Sequence, residues 1–314
     1  MCYNVENLFD VRDDSLFNDR EYLVGGLRGW NYTRYREKLS NIAKVIVAAG
    51  EWNPPALVGL CEIENRNTLL DLTQRTGLQQ LNYNFLHYES PDARGVDVAL
   101  LYLPELFEPI NSRPIRVSFP NSKSTTRDIL YACGKIPNGD TLHIFVNHFP
   151  SRLGGELESE KGRITAATFL RTAVDSVFEK HSNAAIVIMG DFNDYPDNNS
   201  IVKTLKATDL PENLNKILPQ NLYNLAYKIH AEGKIGSYRH ENEWGMLDQI
   251  IVSGALLDNT LKTKVLHSTF QVFSPNWLLQ EDKNFGVRPF RTYIGMKFNG
   301  GFSDHLPVLV KVIL

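Results

Sequence analysis

Apolar residues in this chain fall mostly in short runs of five or six, each closed by turn-forming or charged residues. Examples are Ala56–Cys61, Val98–Tyr102, Ala185–Met189 and Leu306–Val310. Their length and β-branched content predict buried strands. Leu142–Val146, Gln249–Val252 and the opening Met1–Val5 read the same way. Between these runs the period changes. Leu39, Ile42, Ile46 and Ala49 share one helical face, with Thr33 as an expected N-cap and Gly50 as the stop. A second helix is expected from about Leu157 to His181, with Ile164, Ala167, Val174 and Phe178 at helical spacing. Strands alternating with helices predict an α/β fold. No Pro/Gly/Ser-rich linker or short-period repeat divides the chain, so residues 1–314 are expected to form a single domain. Two stretches, Asn213–Trp244 and Phe273–Phe302, have weak periodicity and many polar and aromatic residues, and are expected to be long loops that govern substrate choice.

Composition changes this picture little. Hydrophobic residues at 43% and charged residues at 22% suffice for a sizeable core and exclude disorder as the default. A net charge of -3 gives no bulk attraction to nucleic acid, although a local basic patch can still bind phosphate. Cys2, Cys61 and Cys133 are odd in number and lack zinc-type spacing, so they read as reduced residues. No run is long enough for a membrane span, and no basic head precedes an apolar signal core. The abrupt start in a strand is also what removal of an export signal would leave, so cytoplasmic and exported locations both stay open.

The candidate chemistry sits where apolar runs end. Met189-Gly190-Asp191-Phe192-Asn193-Asp194 closes a strand with acidic and amide groups, which a strand terminus would hold rigidly at a sheet edge; the same residues also make an ordinary turn. Ser303-Asp304-His305 sets a carboxylate beside an imidazole before another strand, suiting a metal ligand next to a general base or donor. A given tripeptide arises by chance in roughly a few per cent of chains this long, so only the conjunction carries weight. In Gly59-Leu60-Cys61-Glu62-Ile63-Glu64-Asn65 a strand delivers Glu62, a hard oxygen ligand suited to Mg²⁺. Glu64, two residues on, is not expected to share that role. Asn4 and Glu6 would share a face if extended, and Asn147-His148 ends the run before it. Arg152, Lys161 and Arg163 follow near a helix start, where they could grip phosphate or simply lie solvated.

Taken in order from Asn4 to His305, these motifs resemble the endonuclease/exonuclease/phosphatase superfamily and cover nearly the whole chain. The resemblance implies a four-layer α-β-β-α sandwich, two sheets packed face to face with helices outside, and magnesium-dependent hydrolysis of a phosphate ester, with Mn²⁺ as a substitute. It implies that Glu62 is the principal magnesium ligand, with Asn4, Glu6 and Asp304 near the metal. Asp191 and Asn193 would position water and phosphate, His148 would stabilise phosphate oxygens or serve the leaving group, and Asp248 would orient His305. Asp97 would pair with His148, and Arg127 would contact phosphate. Either Asp191 or the His305–Asp248 pair could accept the proton of water. The segments around Asn193 and Asp248 lack the flanking residues of inositol phosphatases, and no Gln precedes Glu62 as in abasic-site endonucleases. A nuclease acting on nucleic acid is the leading expectation, with a phosphatase or phosphodiesterase for a small or lipid phosphate as its rival. A binding module without activity is the remote third reading. Nothing in the residues speaks to oligomeric state.

Overall fold

The computed structural model describes residues 1–14, 17–119, 124–258 and 260–314. Among the described residues thirteen strands make the two large sheets. In spatial order the first comprises β14 (Lys264–Val272), β19 (Val308–Ile313), β1 (Cys2–Leu8), β2 (Leu57–Ile63), β4 (Asp97–Tyr102) and β3 (Asn84–His87). The second comprises β5 (Glu108–Ile115), β6 (Ile129–Lys135), β7 (Thr141–His148), β8 (Ala185–Asp191), β13 (Asp248–Ser253), β10 (Leu222–Asn224) and β9 (Ala207–Thr208).

Leu60, Leu100, Val146, Met189, Ile250 and Val252 belong to one apolar core, so the sheets pack face to face. They approach most closely at Gly59, where a Cβ would stand 2.7 Å from Met189 Sδ. Helices cover the outer faces. α1 (Tyr32–Ala49) lays Leu39, Ile42, Val45 and Ile46 on the first sheet, beside α2 (Arg66–Gln74). α3 (Glu156–Lys180) lays Ala167, Leu170 and Val174 on the second, around Phe145 and Ile188. Each fully buried Leu or Val there contributes roughly 1.5–3 kcal/mol of transfer free energy. The architecture is an α/β sandwich: the sequence pattern predicts the α/β class, and the resemblance implies the sandwich.

Two parallel pairs set the rim. β1 and β2 run parallel with α1 between them in sequence, and β7 and β8 run parallel with α3 between them. Register then lines up side chains across the second sheet: His148 stands beside Asp191, and Asp191 beside Asp248 at the start of antiparallel β13.

Some local expectations are corrected. The cap of α1 is Asn31, whose side chain accepts from Arg34 N, and Thr33 lies inside the first turn. The C-terminal strand begins at Val308, two residues after the start of the apolar run Leu306–Val310. The stretches expected to be long loops carry short elements: α4 (Tyr227–Glu232), the hairpin β11 (Tyr238–His240) with β12 (Glu243–Gly245), and two more, β15 (Leu279–Asp282) with β16 (Gly286–Pro289) and β17 (Tyr293–Ile294) with β18 (Lys297–Phe298). Among the described residues no helix is long and apolar enough to cross a membrane.

Candidate active site

On the second sheet the row ends in a tight polar cluster. His305 Nδ1 lies 2.6 Å from Asp248 Oδ2, a strong hydrogen bond, and its Nε2 lies 3.8 Å from Asp191 Oδ2. From the other side His148 Nε2 lies 3.6 Å from the same oxygen. Asp191 is held by Asn4 Nδ2 donating to Oδ2 at 3.0 Å and Asn193 N donating to Oδ1 at 2.8 Å. Asn193 adopts φ +49° and donates its amide to Phe149 O, which turns the chain sharply after the strand.

Electrostatics separate the two histidines. Burial works against a charged His305, but Asp248 and Asp191 overcome it and hold the ring well above its usual pKa, as imidazolium. Burial, with Arg127, Arg94 and His305 adding to it, holds His148 well below and therefore neutral. The Asp191 carboxyl is pushed up to about 6 by burial, with His305 pulling down and Asp248 pushing up.

The first sheet delivers Glu62 across from this cluster. The ladders of β1 with β2 and of β2 with β4 both slip here, and Glu6, Asn7 and Glu62 take φ values of +54°, +53° and +68°. Such backbone costs about 1–3 kcal/mol per residue and persists where surrounding structure imposes it. The slip lets Asn7 N donate to Glu62 Oε2 at 2.8 Å, while Oε1 faces His148 Nε2 at 3.9 Å and Arg94 at 3.8 Å. It also breaks the common face expected for Asn4 and Glu6. Asn4 reaches Asp191, whereas Glu6 accepts from Thr292 N at 2.7 Å and lies 3.9 Å from Arg291. Asp304 joins that second group through a 2.6 Å bond from Arg291. Burial and the nearby Asp304 push Glu6 up to about 7, against Lys38 and Arg291. Glu64 is buried elsewhere, accepting from Asp10 N at 2.6 Å.

Three expected contributors lie differently. Asp97 is bonded to His87 at 3.2 Å and to Ser90 N, not to His148, whose buried Nδ1 has no hydrogen-bond partner among the described residues. His87, Glu89 and Asp97 form a cluster of their own. Arg127 is buried, donating to Asp92 at 3.1 Å and to Phe149 O at 2.6 Å. Arg152 spends its guanidinium on Asn193 O, Asn198, Asp194 and Glu156, and so braces the Asn193 turn from behind. Arg163 pairs with Asp194 at 2.6 Å.

Several positions escaped sequence reasoning. Ser237 is fully buried; its Oγ accepts from Asp248 N at 2.9 Å and its carbonyl from Leu306 N at 2.6 Å, so one residue ties together both sides of the Asp248–His305 pair. The Tyr238 ring packs 4.8 Å from the His305 ring. Ser303 Oγ donates to Asn4 O and accepts from His305 N, tying β1 to the segment that carries His305. Arg94, Lys38 and Arg291 supply the positive charge around Glu62, Glu6 and Asp304. A lone Ser or Arg in a weakly periodic segment carries no local signal; only tertiary packing reveals them.

The donor set fits a hard divalent cation. Glu62 presents a carboxylate with one oxygen fixed by Asn7 N and the other directed at the cluster, with the Asn4 amide bonded to Asp191 Oδ2. Asp191, Asp248 and His305 also bring ligand atoms within 4.8 Å of one another. The 2.6 Å contact between His305 and Asp248 is a hydrogen-bond distance, so a proton, not a metal, lies between those two.

Carboxylates and imidazoles from two packed sheets thus gather on one rim, in the fold of a family of phosphoester hydrolases. The chain belongs to the Endonuclease/Exonuclease/phosphatase family, whose sequence profile matches residues 1–313. Enzymes of this family depend on divalent metal. Solved structures share the fold at low identity. A mannosyl-6-phosphatase from Bacteroides thetaiotaomicron is 16% identical, with TM-score 0.59, over 100% of this chain and 98% of that one. The human Nocturnin catalytic domain with bound sulfate is 18% identical, with TM-score 0.55, over 89% and 87%. Truncated TDP2 from Caenorhabditis elegans is 16% identical, with TM-score 0.54, over 88% and 91%. No curated protein sequence matches the chain.

Proposed function

We propose that the protein is a magnesium-dependent hydrolase of compact phosphate esters, with Asp191 as the base that accepts a proton from water. The observation that carries this reading is the placement of Asp191 Oδ2 between two imidazole Nε2 atoms, at 3.6 and 3.8 Å, with Glu62 Oε1 3.9 Å from the nearer ring. Glu62 would hold the ion with Asn4 nearby; Glu6 and Asp304 are drawn to Thr292 and Arg291 and would act at longer range. Bound magnesium supplies charge neutralisation and polarises the phosphoryl group.

The chain's own groups do the rest. Asp248 and Asp191 hold His305 as imidazolium, protonated on both ring nitrogens, so its Nε2–H is a donor for a phosphoryl oxygen and the ring does not take the proton of water. Asp191, anchored by Asn4 and Asn193, faces the space between the rings and can take it. Neutral His148 can donate one hydrogen bond to a second oxygen without adding charge.

An extended nucleic-acid substrate would call on several cations for its phosphates. Arg127 and Arg152, the cations expected for that task, are committed to internal partners, which favours a smaller ester. The test is a Mg²⁺-dependence panel of sugar phosphates, phosphoinositides, sphingomyelin, abasic oligonucleotides, RNA and plasmid DNA. Turnover fastest on a small phosphate is the expected result. Preference for plasmid or abasic DNA would overturn the substrate class but not the chemistry. Glu62→Gln should abolish turnover while leaving the melting temperature nearly unchanged; wild-type activity of that variant at limiting Mg²⁺ would remove Glu62 as the ligand.

A further inference from the structure

A second polar cavity, of about 170 Å³, lies on the outer face of the second sheet under the last turns of α3. That is room for on the order of ten water molecules. Register builds its floor. Arg113, Tyr131 and Phe145 are direct neighbours across β5, β6 and β7, and the next row on the same face brings Asn111, Cys133 and His143 together. Strand alternation sends His143 and Phe145 to the face opposite His148. His148 lies five positions beyond His143 on β7, roughly 16 Å along the strand, so the cavity is not part of the catalytic rim.

Its charge is one-sided. Arg113 from the floor and Lys180 and His181 from the end of α3 line it, and among the described residues no carboxylate does. Among the described residues neither Arg113 nor Lys180 has a carboxylate within ion-pair distance, whereas Arg116, Arg152, Arg163, Arg171 and Arg291 all do. The Arg113 guanidinium is steered over the cavity by stacking 5.4 Å from the Tyr131 ring. His143 adds a neutral donor: burial, with His181, pushes it down to about 4, and its Nδ1 lies 2.9 Å from the Tyr131 hydroxyl. With the hydroxyl donating to Nδ1, the hydrogen of the ring stays on Nε2. The C-terminal carbonyls of α3 oppose an anion here, and Lys180 in the last turn offsets them.

We propose that this cavity is a second, non-catalytic binding site for a small phosphate-bearing anion. Two full positive charges and imidazole donors arriving from a sheet and a helix surround a tetrahedral group better than a planar carboxylate.

The full-length protein with ¹³C-labelled histidine would be titrated with inorganic phosphate at constant ionic strength, following the ring signals of His143 and His181. Both should move saturably. In Arg113→Ser/Lys180→Ser, which alters two exposed side chains remote from the rim, the shifts should disappear while those of His148 and His305, and the turnover, stay as in the wild type. Phenylphosphonate, which is not hydrolysed, distinguishes the source: binding at least about tenfold tighter than phosphate indicates an organic phosphate, and equal binding indicates the free ion. The proposal fails if the His143 and His181 signals do not move, if they move equally in the double variant, or if acetate binds as well as phosphate.

Discussion

His148 and His305 approach the same oxygen of Asp191 from opposite sides, at 3.6 and 3.8 Å, and both are buried; one is nevertheless held neutral and the other charged. Burial penalises the cation at both positions, so it cannot be what distinguishes them. Neighbours do. His305 has Asp248 on Nδ1 and Asp191 beyond Nε2, while His148 has an unpartnered Nδ1 and faces the positive charges of Arg127, Arg94 and His305 itself. A single carboxylate, Asp248, thereby divides two like residues into a charged donor and a neutral one.

Removing the charged partner should have the largest effect. His305→Ala is expected to lower kcat by about 10²–10⁴ with little change in KM and a melting temperature close to wild type. Unchanged turnover in the folded variant would show that the imidazolium is dispensable. Asp248→Asn should come next, with a loss of about 10²-fold and a His305 pKa, read by NMR, that falls toward the ordinary range. The double variant should lose less than the product of the two single losses, because the pair acts as a unit. The same pair has a signature in stability. Its contribution is fully present below the unfolded histidine pKa of about 6.5 and is lost as pH rises through the raised folded value, so melting temperature should decline with pH more steeply in wild type than in Asp248→Asn.

On the neutral side the expected effects are smaller. Arg94→Gln removes one half-exposed cation from beside His148, so the His148 pKa should rise and turnover change by only a few-fold; a His148 signal that titrates as in wild type would exclude Arg94 as a contributor. Smallest of all is Glu64→Gln, away from the chemistry. Burial pushes the Glu64 carboxyl up to about 8, so from about pH 4.5 to 8 the unfolded chain ionises while the folded one keeps its proton, and stability falls as pH rises. The amide keeps the bond from Asp10 N and cannot ionise, so the variant should melt a few degrees higher than wild type at pH 8 and no higher at pH 4.

Much of the rim could be read from residues alone because buried strands end abruptly. An apolar run followed by Asp191, His148 or Glu62 announces a side chain fixed at a sheet edge, and the order of those runs matches the family profile. What stayed hidden depends on packing between distant segments. Asp97 could pair with any histidine brought near it, and β3 supplies His87 on the adjacent strand. Arg127 looks the same in sequence whether it faces solvent or Asp92. Asn31 and Thr33 are both competent caps two residues apart, and the structure uses the first. The hairpins within Asn213–Trp244 and Phe273–Phe302 have strands of two to four residues, too few for alternation to register, so the clamp formed by Ser237 and Tyr238 around His305 had no sequence signature.

The neighbourhood of β1 and β19 also shapes how the enzyme is made. Cys2 is the Cα partner of Val308, so β1 lies between β2 and a strand translated some three hundred positions later. At about 5–20 residues per second, synthesis leaves that edge of β1 open for roughly 15–60 s. During this interval the nascent sheet exposes an apolar, unpaired strand to chaperones and to other chains. His305 enters just ahead of β19, so the imidazolium joins the rim only as the sheet closes. On the ribosome, the other rim residues are all synthesised before the group that should matter most to turnover.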